Sequence, residues 1–172
     1  MNDLFVLAML ADGPKHGYQL KREAGFILGQ GDMHNNLVYP LLRRFTSAGW
    51  VTRKAGPGER GQTRQTYALT AAGRKELVGR LGDYNDTDAS NARAFFTRVG
   101  MFALLSSETR LRILDQREAF LRGREQRLSG MSKNLELGAF GTEVVHHLIA
   151  QTRSDLAWIR RLRRLKPDEK EL

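Results

Sequence analysis

Amide, phenol and guanidinium side chains gather in two stretches of the first half of the chain, and their chemistry suits nucleic acid. The first stretch is predicted as a helix over about residues 37–48, with Asn35 or Asn36 as its N-cap. A helix fits the major groove of B-DNA, where such groups can bond to base edges and phosphates. We therefore predict DNA contacts from Asn35, Asn36, Tyr39 and Arg43.

The second stretch is a predicted β-hairpin. Its strands are expected over residues 50–54 and 63–69, and the loop between them, AGPGERGQ, is rich enough in glycine and proline to be an exposed turn. An arginine on such a loop can reach a phosphate or the minor groove. We predict DNA contacts from Arg60, Gln62 and Arg64.

Some of the helix residues have an alternative role. Tyr39 precedes Pro40 and could pack beside the hairpin instead of contacting DNA. Arg43 and Arg44 are adjacent, so they point in different directions on a helix. Arg43 is the better candidate for DNA, whereas Arg44 is expected to pair with a nearby acid.

The charge of the chain points to a polyanionic partner. The formal net charge is +9 and the pI about 10.3, which suits nucleic acid or an acidic membrane face. Residues 1–82 hold 12 Lys and Arg against 6 Asp and Glu, a net of +6, and residues 83–172 hold 16 against 13, a net of +3. The excess lies in the half that carries the predicted DNA contacts.

Catalysis, metal binding and membrane insertion find little support. The chain has no cysteine, which excludes a thiolate zinc site and a cysteine nucleophile. His146 and His147 are adjacent and diverge by about 100° around a helix, so they cannot share one ion. The apolar run from Leu4 to Ala11 is too short to span a bilayer and lacks the preceding positive charge of a signal peptide. We predict no catalytic residue, metal, cofactor or membrane partner, and a cytoplasmic location.

Hydrophobic periodicity predicts the elements that hold these residues. Thr70 is expected to cap the helix after the hairpin, and residues 83–91, which are polar and aperiodic, are expected to form a linker. The predicted helices lie at about residues 3–11, from Lys15 to the turn at Gly29, 37–48, 71–81, 92–105, from Ser106 or Ser107 onward, and 142–165.

The second half is predicted to make a dimer. Leucines spaced by sevens form a coiled-coil-like seam on one helix, and an apolar stripe follows on the last helix. Helices this long need apolar partners, which a second copy would supply; the alternative is that both stripes pack within one chain. The predicted dimer interface consists of Leu114, Leu121, Leu128, Leu135, Val145, Ile149, Leu156 and Ile159.

Three segments, in order, resemble the PadR family of bacterial transcription regulators. Residues 10–23, LADGPKHGYQLKRE, resemble its opening, and residues 38–51, VYPLLRRFTSAGWV, resemble its recognition helix. Residues 61–74, GQTRQTYALTAAGR, resemble its wing and the return to the next helix. The helical second half is similar to the longer PadR subgroup, in which a C-terminal helical domain makes the dimer.

The resemblance adds further expectations. It implies that Tyr18 contacts a phosphate, although this side chain could also pack in the core. It also implies a small-molecule effector site, for which Phe95, Phe96 and Trp158 are the candidates, with core or dimer packing as their alternative role. The sequence departs from the family at Leu37, where relatives often have a hydroxyl that can bond a phosphate.

Together these features predict a mainly α protein with a small β-wing: a winged helix-turn-helix over residues 1–82, a linker over 83–91 and a helical dimerisation domain over 92–172. The predicted function is a homodimeric transcription regulator, a repressor released by a small-molecule effector, that binds a pseudo-palindromic operator in double-stranded DNA. The alternatives are a winged-helix protein-interaction module without direct DNA readout, and an enzyme whose motifs this sequence does not display.

Overall fold

The computed structural model of the chain describes residues 2–28, 35–57, 63–134 and 138–165. The chain divides into two compact units, Met1–Leu81 (unit 1) and Gly82–Leu172 (unit 2). Helices dominate both units, and the described strands all lie in unit 1. The predicted fold class, mainly α with a small β-wing, is confirmed.

The described part of unit 1 combines helices with a three-stranded antiparallel sheet in the order β1-β3-β2. The hairpin of β2 and β3, with the loop between them, is the wing. The elements are α1 (Asn2–Ala8), β1 (Lys15–His16), α2 (Gly17–Leu28), α3 (Asn35–Ser47), β2 (Val51–Pro57), β3 (Thr63–Leu69) and α4 (Ala71–Gly82).

Lys15 and His16 form a strand, so the helix predicted to start at about Lys15 begins instead at Gly17. Lys15 pairs with Tyr67 and His16 with Thr66, which adds β1 to the free side of β3. The Thr66 hydroxyl also lies 3.1 Å from His16 Nδ1. The pairing joins residues about fifty positions apart, and the local periodicity that indicated a helix does not encode such long-range partners.

The core of unit 1 forms around the inner face of α3. Val38, Leu42 and Phe45, whose spacing places them on one face of the helix, have no exposed surface. Tyr39 and Arg43 therefore lie on the other side of the helix. Other buried side chains of the unit belong to Val6, Leu7, Leu10, Leu20, Val51, Tyr67 and Leu77.

A tight corner joins α3 to the wing. Gly49, two residues after the end of α3, has a φ of +73°, a left-handed conformation that favours glycine. Thr70 caps α4 as predicted, because its hydroxyl accepts a hydrogen bond from Gly73 N at 2.9 Å and donates one to Gly49 O at 2.7 Å. A Cβ at Gly73 would lie 1.9 Å from Trp50 O, so the start of α4 packs directly against this corner.

All the regular elements described in unit 2 are helices, and two long helices dominate it. The helix predicted over residues 92–105 is shorter than expected, since it ends at Val99 and a 3-10 turn follows. The elements are α5 (Asp86–Ser90), α6 (Ala92–Val99), the 3-10 turn (Phe102–Leu104), α7 (Ser107–Asn134) and α8 (Ala139–Leu162).

Residues 83–91, predicted as a linker, are instead folded into unit 2. Asn85 caps α5 and Asn91 caps α6, each accepting a hydrogen bond at 3.1 Å from the backbone N–H three residues further on. Tyr84 and Ala89 are buried. The polar residues that indicated a linker are thus the caps of two short helices, a role that hydrophobic periodicity cannot reveal.

Part of the predicted dimer seam lies inside a single chain. Helix α8 runs antiparallel to α7, since Arg153 bonds to Glu125 and Arg163 to Asp115. Seam residues on both helices are buried in unit 2, so they are core residues and the prediction that they form an interface is wrong. These are Leu114, Leu121, Val145 and Ile159. Of the others, Leu128, Ile149 and Leu156 are half-buried, and Leu135 lies outside the described residues.

Candidate nucleic-acid interface

A cleft of about 880 Å³ opens on unit 1 between the start of α2, the outer face of α3 and the wing. Each of these elements sends arginine to it: Arg22 from α2, Arg43 from α3, Arg53 from β2 and Arg64 from β3. Guanidinium groups that converge on a concave surface create a field that attracts a polyanion. The remaining lining residues are His16, Gly17, Tyr18, Gln19, Tyr39, Gln65 and Tyr67.

Several predicted DNA contacts meet in this cleft, namely Tyr18, Tyr39, Arg43 and Arg64. Tyr18 is 66% exposed, so its alternative role as a core residue is excluded. Tyr39 is half-buried and rests against Gly17 at the start of α2. The structure therefore gives Tyr39 a packing contact on α2 while it also lines the cleft.

The other predicted contacts are less fully described. Helix α3 begins at Asn35, earlier than predicted, so Asn35 and Asn36 lie in its first turn. Their side chains lie outside the described residues, as do Arg60 and Gln62 in the wing loop.

Three residues that were not predicted from the sequence also line the cleft: Gln19, Arg22 and Arg53. Arg22 lies one helical turn after Tyr18 on α2, a spacing that places both on one face. Arg53 Nε donates a hydrogen bond to Gln65 Oε1 at 3.0 Å across the wing. The available signals were the i, i+4 spacing on α2 and the period-two alternation of the strands.

Arg44 does not line the cleft and pairs with an acid, as predicted: its NH2 lies 3.1 Å from Asp3 Oδ2. The same oxygen accepts a hydrogen bond from Arg80 NH1 at 3.0 Å. Burial raises the pKa of Asp3, but the amino terminus, the Leu4 amide and Arg80 outweigh it and lower this pKa to about 2. The carboxylate is therefore charged at neutral pH and holds both guanidinium groups.

The aromatic side chains proposed for an effector form one cluster in unit 2, in which Phe95 is buried and Phe96 is 52% exposed. The ring centroids of Phe95 and Phe96 each lie 5.6 Å from that of Trp158. Arg117 is buried beside them, with its guanidinium 5.4 Å from the centre of the Phe95 ring. The space that these side chains enclose is too small for a water molecule. An effector could enter the space between these side chains only if they moved apart.

Other kinds of site are not seen in the described part of the chain. It contains no group of three or more His, Cys, Asp or Glu side chains that could hold a metal ion. None of its helices combines the length and the apolar character that a membrane crossing requires.

Comparison with known proteins points to one family. The sequence model of the transcriptional regulator PadR-like family matches residues 6–78. TA0346 of Thermoplasma acidophilum, described as a candidate transcriptional regulator, is 31% identical; the match covers 45% of this chain and 74% of that one, with a TM-score of 0.42. No curated protein matches the chain.

Structures of Bacillus subtilis PadR match nearly the whole chain at low identity. Its complex with operator DNA is 18% identical, covers 95% of this chain and 97% of its own, and gives a TM-score of 0.48. Its complex with p-coumaric acid is also 18% identical, covers 94% and 96%, and gives a TM-score of 0.43.

Proposed function

The chain belongs to the PadR-like family of transcriptional regulators through its residues 6–78, and we propose that it acts by binding double-stranded DNA in the cleft of unit 1. The convergence of Arg22, Arg43, Arg53 and Arg64 on that cleft carries the proposal. Arginines contributed by two helices and both strands of the wing present an extended cationic surface, which matches rows of phosphates better than it matches a single small anion.

Helix α3 is the element that would read the bases. Its inner face is fully used by the core, while Tyr39 and Arg43 stand on the face that lines the cleft. A helix presented in this way can enter the major groove, where arginine forms bidentate bonds to guanine. Arg53 and Arg64 on the wing would contact the phosphate backbone or the minor groove beside it.

A second copy of the chain is the proposed partner of unit 2. Large apolar side chains near the junction of α7 and α8 remain exposed: Phe140 at 91%, Val144 at 58% and Met131 at 43%. Phe140 and Val144 are four residues apart on α8, so they share one face. A two-fold dimer through this face would present two copies of α3 to a pseudo-palindromic operator, about 34–36 Å apart.

We also propose that the protein is a repressor and that a small molecule releases it from DNA. Phe95, Phe96 and Trp158 offer aromatic surface, and Arg117 offers a buried cation that now bonds to Ala89 O and faces Asp155. Together they suit an aromatic ligand whose negative charge would replace those partners. Because no room for a ligand lies between these side chains, such a ligand would select a form of unit 2 in which they stand apart and would shift the population of dimers. The protein would act by recognition rather than catalysis, in the cytoplasm.

The protein-interaction alternative predicts no focus of positive charge on the winged helix, and the arginine-lined cleft favours DNA instead. Selection of duplexes from a random-sequence pool by the purified protein tests the proposal, and we expect one enriched motif with two-fold symmetry. If each dimer neutralises about 6–10 phosphates, log K should fall against log salt with a slope of about −5 to −9. A failure to enrich any sequence, together with a salt slope near zero, would rule out DNA binding in the cleft.

A further inference from the structure

Five side chains of unit 1 form a closed ring of contacts, and one of them is Asp3 on α1. Asp3 Oδ2 accepts hydrogen bonds from Arg44 NH2 at 3.1 Å and from Arg80 NH1 at 3.0 Å. The Arg44 guanidinium lies 5.6 Å from the centre of the Phe45 ring, and that of Arg80 lies 4.7 Å from the Trp50 ring. The centroids of the Phe45 and Trp50 aromatic rings lie 5.9 Å apart, and this contact closes the ring of five side chains.

The ring joins the elements that determine the direction of the wing. Arg44 and Phe45 belong to α3, Trp50 immediately precedes β2, and Arg80 belongs to α4. Trp50 N donates to Phe45 O at 2.9 Å, and Trp50 O accepts from Thr70 N at 3.0 Å. Trp50, at the corner between α3 and the wing, is therefore held by two backbone hydrogen bonds and by the contacts of its indole with Arg80 and Phe45.

No member of the ring lines the cleft. Arg43 and Arg44 are neighbours on α3, but the first lines the cleft and the second bonds to Asp3. Arg80 is also fixed within α4, because its Nε donates to Glu76 Oε1 at 2.6 Å. The ring is thus a separate structure that shares α3 and the wing with the proposed DNA surface.

We propose that Asp3 is a positioning residue for operator recognition. By holding Arg44 and Arg80 together, its carboxylate fixes the angle between α3 and the wing, and with it the separation of Arg43 and Arg64 across the cleft. This inference rests on the proposed DNA binding and deepens it: sequence discrimination depends on a residue that touches no DNA. The low pKa of Asp3 keeps the ring charged over the pH range in which operator binding is measured.

The substitution Asp3→Asn separates positioning from simple electrostatics because the two predict opposite signs. Removal of a negative charge makes the protein more cationic, which by itself strengthens binding to any duplex. Loss of positioning instead weakens binding to the selected operator while binding to a scrambled duplex of equal composition stays the same or strengthens. We expect operator affinity to fall about threefold to tenfold, and the ratio of operator to scrambled affinity to fall with it.

Asp12→Asn is the matched control. Asp12 lies in the same unit and is exposed, so its substitution makes the same change of charge without touching the ring. It should leave the ratio of the two affinities unchanged. Asp3→Glu retains the charge and should restore most of the discrimination.

Thermal unfolding of each variant guards against a loss of fold. If Asp3→Asn proves too unstable to measure, Arg44→Gln with Lys75→Gln as its control poses the same question, since each deletes one positive charge from unit 1. A variant of the ring that is folded and retains the wild-type affinity ratio would overturn the positioning role. If the wild-type protein selects no duplex at all, the failure lies with the proposed function, not with the ring.

Discussion

Gly17 and Tyr39 approach each other so closely that no side chain fits between them: a Cβ built on Gly17 would lie 2.8 Å from Tyr39 Cε1. Gly17 is the first residue of α2, and Tyr39 lies on the outer face of α3. Both line the cleft. The lack of a side chain at Gly17 therefore determines where the phenol of Tyr39 lies on the proposed DNA surface.

The substitution Gly17→Ala should weaken DNA binding. The added methyl group would displace the Tyr39 ring, and we expect a loss of about 1 kcal/mol or more, which is about fivefold or more in affinity. Gel-shift titration against the selected operator measures it. Gly79→Ala is the control, because Gly79 lies in α4 with open space around it. Equal effects of the two alanines on affinity would show that the contact with Tyr39 does not matter for binding.

Replacement of Arg64 by alanine should weaken binding without loss of fold. Arg64 is exposed on β3 and lines the cleft, so its removal deletes a charged contact of about 1–3 kcal/mol and lowers the salt slope by about 1 per chain. Arg122→Ala is the control: this arginine is exposed on α7 and pairs with Glu118. If both variants lower affinity to the same small extent, Arg64 acts only through net charge.

The corner at Trp50 makes a prediction about stability. Because a Cβ at Gly73 would lie 1.9 Å from the backbone oxygen of Trp50, Gly73→Ala must shift either α4 or the start of the wing. We expect it to lower the free energy of unfolding by about 3 kcal/mol or more. Urea denaturation followed by circular dichroism gives the value, and an unfolding free energy within error of wild type would contradict the close packing.

The sequence was informative wherever function depends on local spacing. The burial of Val38, Leu42 and Phe45 follows from their positions on one helix, and this burial alone places Tyr39 and Arg43 outside. The resemblance of residues 10–74 to PadR regulators is confirmed by the family match over residues 6–78. Such features are encoded within one or two turns of a single element.

What the sequence could not provide were the partners of its regular patterns. The leucine spacing that indicated a dimer seam is real, but Leu114 and Leu121 pack within unit 2 instead of against a second copy. A heptad pattern predicts that the apolar face of a helix packs against another helix. It does not show whether that helix belongs to the same chain or to a second copy. The same limit applies to Arg53, whose place in the cleft depends on how β2 pairs with β3.

The hydroxyl group of Tyr84 is expected to lower the stability of the protein relative to a variant with phenylalanine at this position. Its ring lies under the Arg98 guanidinium at 4.7 Å, but its buried hydroxyl has no hydrogen-bond partner among the described residues. Tyr84→Phe keeps the ring and removes the unsatisfied group, so we expect it to be neutral or to stabilise the protein by about 1 kcal/mol at pH 7. A loss of more than that in urea denaturation would show that the hydroxyl has a partner.

The same residue predicts a difference at alkaline pH. Burial raises the pKa of Tyr84 to about 12, against opposing charges from Arg117 and Arg98. The neutral phenol is therefore favoured by the folded state, and this contribution is fully present below about pH 10 and is lost as the pH rises towards 12. Between these values the wild type should lose more stability than Tyr84→Phe. Parallel unfolding curves for the two proteins across that range would contradict the raised pKa.

The exposed face of unit 2 gives the sharpest test of the dimer. Phe140 is 91% exposed within one chain, and its burial between two copies would contribute about 1.5–3 kcal/mol. Phe140→Asp would replace that gain with the cost of a buried charge, so the dissociation constant of the dimer should rise by about tenfold or more.

Sedimentation of the two proteins measures this shift, and operator affinity should fall with it, because a monomer engages only one half-site at a time. Leu111→Asp is the matched control, since Leu111 is an exposed leucine near the start of α7, at the opposite end of that helix from Met131. If Leu111→Asp separates the chains and Phe140→Asp does not, the two copies meet at the other end of the helix pair. If the wild type sediments as a monomer at the concentrations where it binds the operator, the two-fold arrangement proposed for unit 2 is wrong, although the cleft of unit 1 could still bind DNA.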